Sequence, residues 1–295
     1  MTATFDQPVL LDDDDDPADL TLVDRGLSFD LTTLTRRDVL KALGFGGVSA
    51  GLFTIAGCAP GAGSSGSAAS ASASSGASAS TAAGASCAVI PEETAGPFPG
   101  DGSNGPDVLK QSGVVRSDIR SSFGSSTNAA QGVPLTVKLE IQDATDCAPI
   151  PGAAVYVWHC DRDGNYSMYS QAAVNENYLR GVQEADANGA VSFTSIFPAC
   201  YSGRWPHIHF EVYPSLTQAT DQANKIATSQ IALPKDICEQ VYATDGYTQS
   251  VQNLSQVSLT TDMVFRDDGA VHELGTISGS VASGLTVELT VPVGA

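Results

Sequence analysis

Between Ala59 and Ser86 the chain is almost entirely glycine, alanine and serine, and no other stretch constrains folding as much. Such a segment has too little apolar surface to offset the entropy of ordering it, so it behaves as a flexible tether. It splits the 295 residues into a leader and a foldable part of roughly 200 residues, which suits one all-β domain. The expected segments are therefore 1–57, a leader; 58–86, a flexible linker; and 87–295, the folded domain.

Net charge is −19 and the pI is near 4.2, which argues against a nucleic-acid partner, because phosphate backbones need cations. Part of that charge is the Asp12–Asp16 run, a solvated stretch of a disordered leader. Thr35-Arg-Arg-Asp-Val-Leu-Lys41 has the form of a twin-arginine export signal. The Gly-rich stretch after it, Ala42 to Gly57, is too short for a membrane helix and carries its basic flank in front, as a signal peptide does. It ends in Ile55-Ala-Gly-Cys58, which resembles a lipobox whose cysteine becomes the lipidated N-terminus. The expectation is an exported protein that meets the membrane only through a lipid on Cys58. A twin-arginine route carries proteins already folded, which suits a cofactor inserted before export.

After Cys87, Leu135, Val137, Leu139 and Ile141 alternate with polar residues as in a half-buried strand. Ala153–His159, Ala190–Ile196, His207–Tyr213, Ser229–Leu233, Thr261–Phe265 and Leu285–Val291 also read as strands. Pro149–Gly152 and Asp186–Gly189 read as turns. Pro234–Tyr242 is the one short helix expected. Many short strands with frequent Gly and Pro turns predict a β-sandwich. Asp161–Asn165 has a faint look of a calcium loop but lacks its later ligands and terminal Glu; it reads as the turn that delivers Tyr166.

Three of the four histidines are His159, His207 and His209. On a strand, alternate side chains share a face, so His207-Ile-His209 presents two imidazoles side by side, a pincer for a metal ion. Tyr166 and Tyr201 flank this pair in sequence. Phenolate is a hard anionic donor, so two tyrosines with two histidines favour Fe(III) over Zn(II) or Cu(I); the plainer alternative is amphipathic packing of the two rings. His159 is expected to hydrogen-bond within the sandwich, and His272 to lie on the surface. Cys87, Cys147, Cys160, Cys200 and Cys238 are odd in number, and spacing leaves their pairing open.

Glu93-Thr-Ala-Gly-Pro-Phe98, Val157-Trp-His-Cys-Asp161, Gly164-Asn-Tyr-Ser167, Tyr178-Leu-Arg-Gly-Val-Gln183 and Gly203-Arg-Trp-Pro-His-Ile-His-Phe210 together resemble the intradiol ring-cleavage dioxygenases, the family of catechol 1,2- and protocatechuate 3,4-dioxygenases. The resemblance covers about residues 87 to 295, and the Trp-His-Cys-Asp form is similar to its exported branch. It implies a mononuclear non-haem Fe(III) held by Tyr166, Tyr201, His207 and His209. A catechol would chelate as a dianion and displace Tyr201, whose phenolate would serve as base. With O2, the ring would open to a muconate-type dicarboxylic acid. Arg204 would stabilise charge developing on the ring, and Gln230 would stand behind the ligands.

Only Ser202 to Pro206 separate Tyr201 from His207, a shorter loop than in the cytoplasmic enzymes. This suggests an open site that tolerates larger or substituted catechols, though no residue obviously offers itself to a carboxylate. Two other functions compete: a non-catalytic β-sandwich binding module, and a copper electron carrier built on the histidines with Cys160 or Cys200.

Overall fold

The computed structural model describes residues 87–294. The expected leader, export signal, lipobox and linker lie outside the described residues. Eight strands form two four-stranded sheets. Strands β1 (Pro134–Asp143), β4 (Ala190–Ile196), β7 (Thr276–Ser280) and β8 (Gly284–Val293) make the first, in the order β4-β1-β8-β7. The second contains β2 (Ala154–Trp158), β3 (Arg180–Glu184), β5 (His207–Tyr213) and β6 (Ala227–Ala232), in the order β3-β2-β5-β6. Pairing is antiparallel except between β1 and β8.

The expected alternation on β1 holds: Leu135, Val137, Leu139 and Ile141 are buried. They meet Val155, Val157, Ile208, Phe210 and Val212 from the second sheet in one apolar core, the arrangement of a β-sandwich. Strands β2, β5 and β6 are buried on both faces. Their outer face is covered by the looping segment after Cys87, whose Phe98, Val108, Leu109 and Val114 pack against Ala154, Tyr156, Trp158 and Tyr213. Polar side chains on that face are thus enclosed as well.

Three expectations need correction. Among the described residues there are two short α-helices rather than one: α1 (Lys235–Tyr242) and α2 (Thr248–Leu254). Helix α2 buries only Ser250 and Leu254, too little periodicity to mark it. Thr261–Phe265 is not a strand. Asp262 Oδ1 accepts from the backbone N–H groups of Val264 and Phe265, and a side chain competing for those donors turns the chain into a short 3₁₀ helix at Phe265–Asp267. Strands β3 and β7 were not anticipated; β7 is an edge strand with almost no buried side chain, so it lacks the apolar alternation that marks a strand.

The turns at Pro149–Gly152 and Asp186–Gly189 fall where expected. Asp186 Oδ1 accepts from Asn188 and Ala190, and Gly189 sits at φ +75, a conformation glycine adopts without strain. Cys87 and Cys147 form a disulfide that pins the start of the domain to the end of β1, and Cys160, Cys200 and Cys238 are buried free thiols.

Candidate metal centre

Register across the second sheet assembles the centre. Trp158 of β2 faces His209 of β5, and His209 faces Gln230 of β6. Cross-strand partners share a face, so His207 and His209 lie on the outer face, away from Ile208 and Phe210. Trp158 stacks on His209 with centroids 4.8 Å apart and planes at 4°, which fixes the imidazole plane.

Tyr166 and Tyr201 come from two loops. The turn before Tyr166 is closed by Asp161, whose Oδ1 accepts from the backbone of Asp163 and Asn165 at 2.9 and 2.8 Å. Tyr166 is buried against Phe98, with centroids 4.9 Å apart, while Tyr201 is half-buried. Four donor atoms converge. Tyr166 Oη lies 3.5 Å from Tyr201 Oη and 3.5 Å from His207 Nε2. Tyr201 Oη lies 3.2 Å from His207 Nε2, which is 3.1 Å from His209 Nε2.

This donor set fits a metal ion. Ligands about 2 Å from one ion stand about 3 Å apart at ordinary coordination angles. His207 Nδ1 lies 2.6 Å from the Trp205 carbonyl, which can only accept, so Nδ1 carries the proton and Nε2 presents a lone pair. His209 Nε2 points at that same lone pair, and its Nδ1 is buried without a partner among the described residues. Burial first, then Arg204, holds His207 well below the usual imidazole range. Burial first, then His207, does the same to His209. Both imidazoles are therefore neutral, as metal ligation requires. Burial and the neighbouring Tyr201 push the Tyr166 phenol well up, so a cation is needed to make it a phenolate. No cluster of three or more His, Cys, Asp or Glu occurs among the described residues. Tyrosine is what completes the donor set.

Arg204 and Gln230 stand beside the donor cluster, Gln230 as the cross-strand partner of His209 and Arg204 three residues before His207. Arg204 is buried and donates from Nε to Asp262 Oδ2 at 3.0 Å and from Nη2 to Gln230 Oε1 at 2.7 Å. Gln230 in turn donates to the Thr94 carbonyl at 2.8 Å. Asp262, marked in the sequence only as an aspartate directly before an apolar run, also accepts from Trp205 N at 2.6 Å. Trp158, in the Val157–Asp161 motif, takes its role from the stacking on His209, which no sequence pattern marks.

The remaining expectations sort cleanly. His159 donates from Nδ1 to the Cys160 carbonyl and accepts at Nε2 from Ser195, both at 2.7 Å, so it is a satisfied core histidine. His272 is exposed. The Cys160 and Cys200 thiols point to the carbonyls of Ala199 and Arg204. Burial pushes the Cys200 thiol up to about 12 and the Cys160 thiol higher still, which disfavours the thiolate that a copper carrier needs.

A family model described as "Dioxygenase" matches residues 104–291. A chlorocatechol 1,2-dioxygenase from Rhodococcus opacus is 42% identical over 57 residues, 19% of this chain and 22% of that protein. A catechol 1,2-dioxygenase from Acinetobacter lwoffii is 34% identical over 98 residues, 27% of this chain and 35% of its own. The matched stretches thus span between about a fifth and a third of these relatives. A solved intradiol ring-cleavage dioxygenase from Tetranychus urticae is 25% identical with a TM-score of 0.56, over 70% of this chain and 95% of that one.

Proposed function

The chain belongs to the intradiol ring-cleavage dioxygenase family, and from that premise we propose that it cleaves a catechol-type ring between its two hydroxyl carbons with O2. Both oxygen atoms enter the product, a muconate-type dicarboxylic acid. The observation that carries this reading is the convergence of two imidazole nitrogens and two phenol oxygens, with neighbouring donor atoms 3.1–3.5 Å apart.

Tyr166, Tyr201, His207 and His209 would hold one Fe(III), the ion that suits a set with two phenolates. When bound, ferric iron supplies the electron withdrawal that lets a chelated catecholate react with O2. The protein's own work is placement, proton transfer and exclusion of water. Tyr201, half-buried beside His207, is the donor with room to leave, and its phenolate would take the second catechol proton at Oη. Arg204 would place a fixed positive charge beside the ring. Its pairing with Asp262 and Gln230 means that this charge is preset rather than recruited. Phe98 packs on the Tyr166 ring and Trp158 on the His209 imidazole, which holds those two donors in place.

The deciding experiment is metal content with a visible spectrum on the iron-supplied protein. We expect one iron per chain and a broad tyrosinate-to-Fe(III) band that shifts when catechol is added without oxygen. A colourless, metal-free protein would leave the non-catalytic binding module as the better reading. We further propose export with a lipid on Cys58; membrane fractionation of Cys58→Ala against the parent tests it, and equal membrane association would refute it.

A further inference from the structure

A groove beside the donor cluster is not used by this chemistry. It encloses about 550 Å³ between the turn before Tyr166, the loop after Cys200 and helix α2, more than a single ring fills. Arg162, Asn165, Tyr201, Ser202, Thr248 and Asn253 line it. Tyr201 links the two sites, since its Oη lies 3.2 Å from His207 Nε2.

Arg162 stands apart from the other buried or half-buried arginines. Arg116 donates to the carbonyls of Arg180 and Asn177, Arg180 to those of Phe98, Pro99 and Ser167, and Arg204 to Asp262 and Gln230. Arg162 Nε is buried with no hydrogen-bond partner among the described residues. The nearest carboxylate, Asp163, is 4.0 Å away and 64% exposed, so water screens much of that attraction. The guanidinium is nonetheless held in place. The Asp161-closed turn fixes its backbone, and the head group crosses Gly246 so closely that a Cβ there would lie 2.8 Å from Nη1. The side chain is 35% exposed, so its terminal nitrogens face the groove among amides and hydroxyls, with Asp163 the one carboxylate beside it, and a positioned guanidinium of this kind is a receptor for a planar anion.

We propose that this groove binds the anionic tail of an elongated catechol, with a carboxylate several bonds beyond the ring recognised by Arg162. The inference rests on the catechol-cleavage reading and names its substrate class. It also alters the expectation from sequence that no residue offers itself to a carboxylate. The short Ser202–Pro206 connection is consistent with a tail leaving the donor cluster on this side.

The test is anaerobic calorimetry on the iron-loaded full chain with three probes: dihydrocaffeate, the neutral propyl-substituted catechol, and catechol itself. Dihydrocaffeate should bind about tenfold tighter than the propyl compound, the worth of one charge-assisted contact at a partly exposed site. Arg162→Gln should erase that preference, Arg162→Lys should keep part of it, and Asp163→Asn, which removes the competing carboxylate, should raise it. Should Arg162→Gln fail to fold, the Asp163→Asn result alone decides. Equal binding of dihydrocaffeate and the propyl compound to the parent would overturn this inference while leaving catechol cleavage standing; so would an unchanged preference in Arg162→Gln. Binding of none of the three would remove the catechol reading and this one with it.

Discussion

The two faces of strand β5 are equally buried and chemically opposite. Ile208, Phe210 and Val212 on one face are fully enclosed by the sandwich core, and His207, His209, Glu211 and Tyr213 on the other are just as hidden. Burial therefore does not separate scaffold from site; how polar atoms are satisfied does. Tyr213 donates to Glu211 at 2.7 Å and Lys225 donates to it at 2.9 Å, so the far end of the polar face is an internally balanced network. At the near end His207 Nε2 and His209 Nε2 face each other at 3.1 Å, and His209 Nδ1 is buried without a partner among the described residues. The cation proposed above would give both rings a common partner.

Breaking the polar face at His207 should give the largest effect. His207→Ala is expected to lose stoichiometric iron and to lower turnover on the order of a thousandfold or more. Metal analysis checks this, and iron retained at one per chain would remove His207 from the ligand set. The opposite face should answer differently: Phe210→Ala should cost about 3–5 kcal/mol of stability through the cavity it leaves, while each folded chain still binds iron. Denaturant titration beside a metal assay separates the two outcomes.

Asp262→Ala joins the two kinds of effect. It strands Arg204 as an uncompensated buried charge, for which about 3–5 kcal/mol is the usual loss. Asp262→Asn keeps a hydrogen-bond acceptor and should fold better, retain the iron band, and lower kcat more than it raises KM. A variant with parental kcat would show that Asp262 merely supports the fold. Opening the Cys87–Cys147 disulfide should cost about 2–4 kcal/mol by loosening the segment that roofs the polar face, measured as a shift in thermal midpoint of Cys87→Ser/Cys147→Ser.

What the sequence disclosed, and what it hid, follows the same division. His207-Ile-His209 was legible because period two places both imidazoles on one face whatever the rest of the fold does. The strands from Ala190 to Ile196 and from His207 to Tyr213 were legible to the residue for the same reason. Tyr166 and Tyr201 could be joined to the pair only through family resemblance, since they are brought there by loops rather than by a repeat. Asp262 was misread because Thr261–Phe265 looks apolar enough for a strand, and only the backbone hydrogen bonds to its carboxylate show a turn. Arg162 was passed over because nothing in a one-dimensional pattern says that Gly246 lies beneath its head group.

His159 gives the comparison its finest test, because it is a histidine on the inner side, at the end of β2, reaching Ser195 on the opposite sheet. It is as buried as His207 and His209, yet both of its nitrogens are matched, one to a carbonyl and one to a hydroxyl. Burial lowers it from the usual 6.5 to about 4. The sign of its effect on stability follows from proton binding. Between pH 6.5 and about 4 the unfolded chain takes up a proton at this position and the folded chain does not, so stability falls as pH falls through that window. The loss from this one group approaches about 3 kcal/mol at the acid end. His159→Gln retains a side chain able to donate and accept but does not titrate. Its stability should be lower at pH 7 and flatter toward pH 4 than that of the parent, measured by urea titration across the range on metal-free protein so that release of iron does not contribute. Parallel curves for the two proteins would mean that His159 is protonated in the fold, and then the inner face tolerates a buried charge as readily as the outer one does.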